Sequence, residues 1–412
     1  MKYFTGDENG LVKWVVFPPP KAEKLKKRAK RDEEKEADGK EGSKKEEPTF
    51  MTGNFGKVNP NEYVQKMAWG MLDGKKQLVI ARKSGKIQYM APETGEIVRE
   101  YKDTNVSTTD GKLGFVGLYA TNSHVAACSS AGHFSYTSLS TPSGTTTSVA
   151  TLDSDLSIMR FHPTQSHVFA TGGKENDLCI YDLNALSNTE SSNETNDATN
   201  QSKQSKKQAK GILFKAKNVK NDFLDLQQPV WVRDVQFMSE DANKVVVGTH
   251  YHQIRLYDAK AARRPVLNVE IGKHPVTNVR IGKDYNQILF TDTVSDVSAV
   301  DIRTGKLVAR YKGFQGAARD VIVTPEPTFS SSSEKAPMLV SVSIDRFLRV
   351  HEMTSTYRRL EHKAYLKQRL TCVLVDEEFE LPKSEEEQKE EEEEEALWAS
   401  MEKVNAKRKR TV

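Results

Sequence analysis

The sharpest metal-like spacing in the chain is His250-x-His252, within GTHYHQIRLYD (residues 248–258). In an extended segment two residues at i and i+2 point to the same side, so two imidazoles could share an ion. A zinc site needs three or four protein ligands, and no nearby Cys, Asp or Glu completes the set. We therefore read the pair as side chains on an exposed face of the fold. Asp182, Asp258 and Asp301 close the strings IYD, LYD and AVD. Carboxylates that recur at one position of a repeat read as structural hydrogen-bonding groups rather than acid–base catalysts. The chain has no glycine-rich phosphate loop, no GxSxG and no HExxH, so we read it as a non-enzyme without cofactor, metal or small-molecule substrate. Cys128, Cys179 and Cys372 are far apart in sequence and each falls in an expected strand, which points to buried free thiols and a reducing compartment.

The elements that must position these residues are repeats. Seven times a short apolar run breaks at a polar or glycine turn and continues as an alternating strand. The clearest copies are LVSVSIDRFLRVHE (339–352), VFATGGKENDLCIYDL (168–183) and VVVGTHYHQIRLYDA (245–259). Aligned on the residue before the Asp of IYD, the copies meet at Trp14, Met90, Thr137, Tyr181, Tyr257, Val300 and His351. The steps between them are 76, 47, 44, 76, 43 and 51 residues. The two long steps hold low-complexity insertions, residues 18–48 and 187–210, and removing these leaves 45 and 52. That is the period of a four-stranded propeller blade. Six copies are preceded by a further strand, for example VRDVQFM (232–238), but the first begins almost at Met1 and lacks one. LTCVLV (370–375) follows the seventh copy, and we expect it to serve as the missing innermost strand of the first blade. The expectation is an all-β, seven-bladed propeller over residues 1–376 with a disordered tail, 377–412.

Charge is unevenly distributed. The net is +4, yet residues 377–412 carry 13 Glu against 7 Lys or Arg, leaving +10 on residues 1–376. A positive body with an acidic tail suits work beside nucleic acid. Both insertions are too polar to form a core and are expected to be disordered. Lys26, Lys27, Arg28, Lys30 and Arg31 in the first insertion, and Lys407, Arg408, Lys409 and Arg410 at the C-terminus, resemble nuclear-localisation signals. ALWASM (396–401) would form a short helix with one apolar patch, a docking peptide. No apolar run approaches 18 residues, so we expect no membrane span.

The repeats resemble the WD-repeat class, with YD, VD and HE in place of Trp-Asp and with Ser343 and Asp345 matching its Ser and turn Asp. Two stretches are more specific. Lys217, Asn218, Leu224, Asp225, Leu226, Pro229 and Trp231, then His252, Gln253, Arg255, Tyr257, Asp258, Arg264, Pro265 and Val266, resemble the WD repeat-containing protein 74 family and its fungal counterparts. That resemblance implies a nucleolar assembly factor of the large ribosomal subunit. It would dock as a monomer on early pre-60S particles, touch ribosomal RNA and other assembly factors, and be released by an AAA-type ATPase.

Loops at the ends of rigid blades carry most propeller contacts. Lys217, Lys220 and Arg233 flank the first stretch, His250, His252 and Arg255 sit at the next turn, and Arg263 and Arg264 follow. These eight are the candidate rRNA or partner contacts, with Trp231 and Leu226 expected in the core. Two other readings compete. Residues 257–260 and 300–303 resemble the WD-x-Arg/Lys box of cullin-type ubiquitin-ligase substrate receptors, and the fold with its nuclear signals also suits a chromatin-associated scaffold.

Overall fold

Alternation of buried apolar and turn-forming residues turns each repeat into an antiparallel sheet. We describe a computed structural model over residues 1–18, 50–106, 114–140, 144–146, 148–187, 211–325, 336–354 and 358–381. The expected disorder of the insertions and tail, the peptide at 396–401 and the nuclear-signal residues fall, apart from a few flanking positions, outside the described residues. The chain divides into two units; residues 2–17 and 44–375 hold the sheets.

Seven sheets make up the propeller. Blade 1 has the order Leu370–Asp376, Lys2–Asp7, Val12–Val16, Met51–Phe55, so the last strand of the chain pairs with the first. Blades 2 to 7 begin with the inner strands Val64–Leu72, Phe115–Ala120, Leu156–Phe161, Val232–Phe237, Val276–Ile281 and Ala318–Thr324. Each of these continues outward through three more strands in chain order. In blade 2 a fifth strand, Gly144–Thr145, adds parallel to Ile97–Lys102. All seven aligned repeat positions lie in third strands, and six of them are buried, Trp14 being half-buried.

The core is divided among interfaces between neighbouring blades. One cluster joins Ile158, Val168, Ala170 and Ile180 of blade 4 to Val232, Val235, Phe237, Val245, Val247 and Tyr257 of blade 5. Burying each large apolar side chain contributes roughly 1.5–3 kcal/mol. Close approach demands glycine here. A Cβ on Gly172 would strike Val232, and one on Gly248 would lie 2.5 Å from Val279 Cγ2, in each case a side chain of the next blade.

Polar links run between the inner strands. The guanidinium of Arg160 (blade 4) pairs with Asp234 (blade 5) at 2.9 Å. Arg280 (blade 6) then bridges Asp234 at 2.5 Å and Asp320 (blade 7) at 3.0 Å. Asp320 accepts the N–H of Val373 in the closing strand at 3.2 Å. On that strand's other flank, Trp69 of blade 2 donates its indole N–H to Val375 O at 3.1 Å. The ends of the ring are thus joined by backbone pairing and by side chains from both neighbouring blades.

Asp182, Asp258 and Asp301 each accept the backbone N–H two residues on, at 2.9, 3.0 and 2.8 Å. These Asx turns fix the exit from the third strand. The three cysteines are free and buried. No helix among the described residues is long and apolar enough to cross a membrane.

Candidate interface at the junction of blades 4 and 5

The outer strand of blade 4, Ile212–Lys215, connects to the inner strand of blade 5 through residues 216–231. This connector contains the first family-like stretch, and the second stretch is what holds it. In blade 5 the ladder between Gln253–Asp258 and Ala262–Glu270 is interrupted: Leu256 faces Leu267 but Asp258 faces Ala262. Residues 263–266 (RRPV) are therefore looped out, where Pro265 needs no ladder donor. Freed from its own sheet, Arg263 donates from Nε to Lys215 O at 2.9 Å and accepts the Lys217 N–H at 2.8 Å. Arg264 donates from Nε to Asn218 O at 3.3 Å.

Asn218 is the hub of the connector. Its Nδ2 donates to Gln228 O at 2.5 Å, closing the base of the loop. Its Oδ1 accepts the N–H of Val219 at 2.8 Å and an N–H of Arg255 at 3.3 Å. Arg255 is 1 % exposed and donates its second terminal nitrogen to Gln253 Oε1 at 2.8 Å. Arg255, expected as a contact, is here a buried strut beneath the connector rather than an exposed side chain.

The other end of the connector is aromatic. Trp231 donates its indole N–H to Ser157 Oγ at 3.2 Å and stacks on His250, ring centroids 4.0 Å apart and planes 20° apart. Lys174 Nζ and the Arg233 guanidinium lie 5.8 and 5.6 Å from the Trp231 ring, within cation–π range. Burial, then the nearby Arg319, pushes the Arg233 pKa down, and burial with Arg233 alongside keeps His250 below its ordinary value. Burial thus favours the neutral form of the ring that stacks on Trp231.

The candidates fall into distinct environments. Lys217, Lys220 and Arg263 are exposed, while Arg233, His250, His252 and Arg264 are half-buried. His250 and His252 do not form an i,i+2 pair on an extended segment. They sit in a turn, with His252 at φ +48°, and His250 is committed to Trp231. No group of three or more His, Cys, Asp or Glu that could hold a metal occurs among the described residues. Leu226, expected in the core, is 59 % exposed. Lys174 was not singled out in the sequence, because only blade packing brings it to Trp231.

Repeat, sheet order and inner-strand closure define a WD-repeat β-propeller. Solved structures share the fold: a chain of the COPII outer coat vertex matches with TM-score 0.53 and 14% identity over 75% of this chain and 77% of that one. The Cps50 (Swd1) β-propeller domain of Myceliophteria thermophila matches with TM-score 0.51 and 11% identity, over 72% and 85%. No family model matches the sequence. Among curated proteins, WD repeat-containing protein 74 of Bos taurus is 32% identical over 364 residues, 86% of this chain and 84% of that protein. Its Homo sapiens namesake is 34% identical over 259 residues, 61% and 58% of the two chains. Ribosome biogenesis protein nsa1 of Schizosaccharomyces pombe is 28% identical over 271 residues, 61% and 64%. The chain belongs to the WD repeat-containing protein 74 family.

Proposed function

We propose that the protein is a non-catalytic ribosome biogenesis factor, a removable scaffold that binds early nucleolar pre-60S particles through rRNA and protein contacts and leaves through an AAA-type ATPase. The observation that carries this reading is the interlock at the blade 4–5 junction. The two stretches that resemble the family meet there, Arg263, Arg264 and Arg255 all act on the connector, and the result is a fixed loop with Lys217 and Lys220 exposed at its stem. The name of the fungal relatives supports the same reading. Two lysines on a rigid support favour phosphate backbone over base edges, and folded RNA is met largely by shape and backbone.

The junction also decides how to test it. Arg263 and Arg264 bond backbone carbonyls, so reversing their charge would disturb the loop itself. Lys217→Glu with Lys220→Glu alters only exposed cations. The double variant is expected to keep the parent melting temperature and lose co-sedimentation with pre-60S particles. Any residual RNA affinity should show a log–log salt slope smaller by roughly 1.4–1.8, for two phosphate contacts. Undiminished co-sedimentation would exclude these lysines as the RNA contact. The ubiquitin-ligase alternative has less behind it, because Lys260 pairs with Asp241 at 2.7 Å and Arg303 with Asp301 at 3.3 Å inside their own blades.

A further inference from the structure

The tip of the connector, residues 221–226 (NDFLDL), holds Phe223, Leu224 and Leu226 in solvent at 94 %, 64 % and 59 % exposure. Single exposed apolar residues are ordinary, but three on one short loop, led by an almost fully exposed aromatic ring, mark an interaction site. The loop is also tied by its own hydrogen bonds. Asp222 Oδ1 accepts the N–H of Leu224 and of Leu226, both at 2.9 Å. The Asp222 N–H donates to Leu226 O and the Asp225 N–H to Asp222 O, both at 3.0 Å. Asn221 Nδ2 donates to Asp225 O at 3.1 Å and to Asp225 Oδ1 at 2.9 Å. These bonds hold Asp225 at φ +59°, a left-handed conformation that a non-glycine residue keeps only when its surroundings enforce it. Below the tip, the Asn218–Gln228 bond closes the stem.

A loop locked in this way loses little conformational entropy on binding, which is the main cost that preorganisation removes. Its charge then selects the partner. Asp222 and Asp225 flank the apolar side chains and residues 221–226 contain no Lys or Arg. An acidic tip repels a phosphate backbone and complements a pocket that is apolar at its centre and basic at its rim. We infer that residues 221–226 form a docking knob that inserts Phe223, supported by Leu224 and Leu226, into such a pocket on a protein partner. This deepens the ribosome-assembly reading, on which it rests, by naming protein rather than RNA as what meets the loop.

The full-length protein with p-benzoylphenylalanine at position 223, expressed in its own cells, provides the test. After irradiation, extract is fractionated on a sucrose gradient and the adducts are challenged with RNase and with protease. An RNase-resistant adduct to one protein is expected, with the crosslinked peptide apolar and bordered by Lys or Arg. With that protein purified, Phe223→Ser should weaken binding at least about 30-fold, as for loss of a central aromatic anchor. Asp222→Ala keeps Phe223 but removes one acidic charge and the acceptor of two N–H groups, and should weaken binding about tenfold through loss of charge complementarity and of preorganisation together. Both variants should melt with the parent. An RNA adduct, no adduct, or unchanged affinity of Phe223→Ser overturns the inference. A protein adduct sedimenting apart from ribosomal precursors supports the knob and overturns the assembly reading; sedimentation with precursors and no adduct does the reverse.

Discussion

Replacing Asp234 by Asn probes the charges that link the inner strands. The Asp234 side chain is 3 % exposed and receives Arg160 at 2.9 Å and Arg280 at 2.5 Å. It also accepts the N–H groups of Val235 at 2.9 Å and Val279 at 2.8 Å. Asparagine keeps the shape and one acceptor oxygen, but it leaves the buried Arg160 without its ion-pair partner and Arg280 with Asp320 alone. At an effective dielectric constant near 20, each pair is worth about 4 kcal/mol before desolvation. Removing one partner of a buried pair costs a net of about 3–5 kcal/mol. Urea unfolding followed by tryptophan fluorescence at pH 7 should show that loss with an unchanged slope. The pH dependence supplies a second check. Burial alone would raise the Asp234 pKa, but Arg160, Arg280 and the two N–H groups hold it below the usual carboxylate range. A depressed folded-state pKa gives stability that is complete above the unfolded value, about 3.9, and fades as pH falls through the lower folded value. The gap between parent and variant should therefore close on acidification. A loss under about 1 kcal/mol at pH 7, or a gap indifferent to acid, would refute the reasoning.

Truncation after residue 368 removes the strand Leu370–Asp376, whose Leu370, Cys372, Val373 and Val375 are buried. It should abolish the cooperative melt seen by circular dichroism; a parent-like melt would mean the ring closes without that strand. Asn218→Ala takes partners from Arg255, Val219 and Gln228 and should loosen the connector by about 2–3 kcal/mol. Hydrogen exchange should then rise at residues 216–231 but not in the other blades, and uniform protection would show that Asn218 is not the hub. Burial pushes the Cys128 and Cys372 thiols up to about 12 and Cys179 to about 11. All three should resist a thiol reagent until the protein unfolds, whereas rapid labelling of the native protein would contradict their burial.

The blades were legible because second and third strands combine alternation with a fixed turn, and a period near 45 residues admits few architectures. The missing strand of the first repeat was legible for the same reason: one copy lacked what six possessed. The junction was only half legible. The two family-like stretches fall there, and RRPV, with a proline among residues that should pair, signals a strand leaving its ladder. Burial of Arg255 could not be read from the chain, because the Asn218 that satisfies it lies 37 residues away. The turn at residues 250–252 looked extended because nothing local announces a left-handed His252. Leu226 reads as core by apolar type alone, but the Asp222 and Asp225 turn chemistry beside it places it in solvent. That alternation of acid and apolar residues without strand periodicity was the signal for the exposed tip.

Purification of the tagged full-length protein, with sequencing of the RNA that accompanies it, bears most directly on the ribosome-assembly role. Large-subunit precursor rRNA should be enriched with the parent chain and lost with Lys217→Glu/Lys220→Glu, while the melting temperature stays the same. A parent protein that emerges free of precursor rRNA would contradict that role.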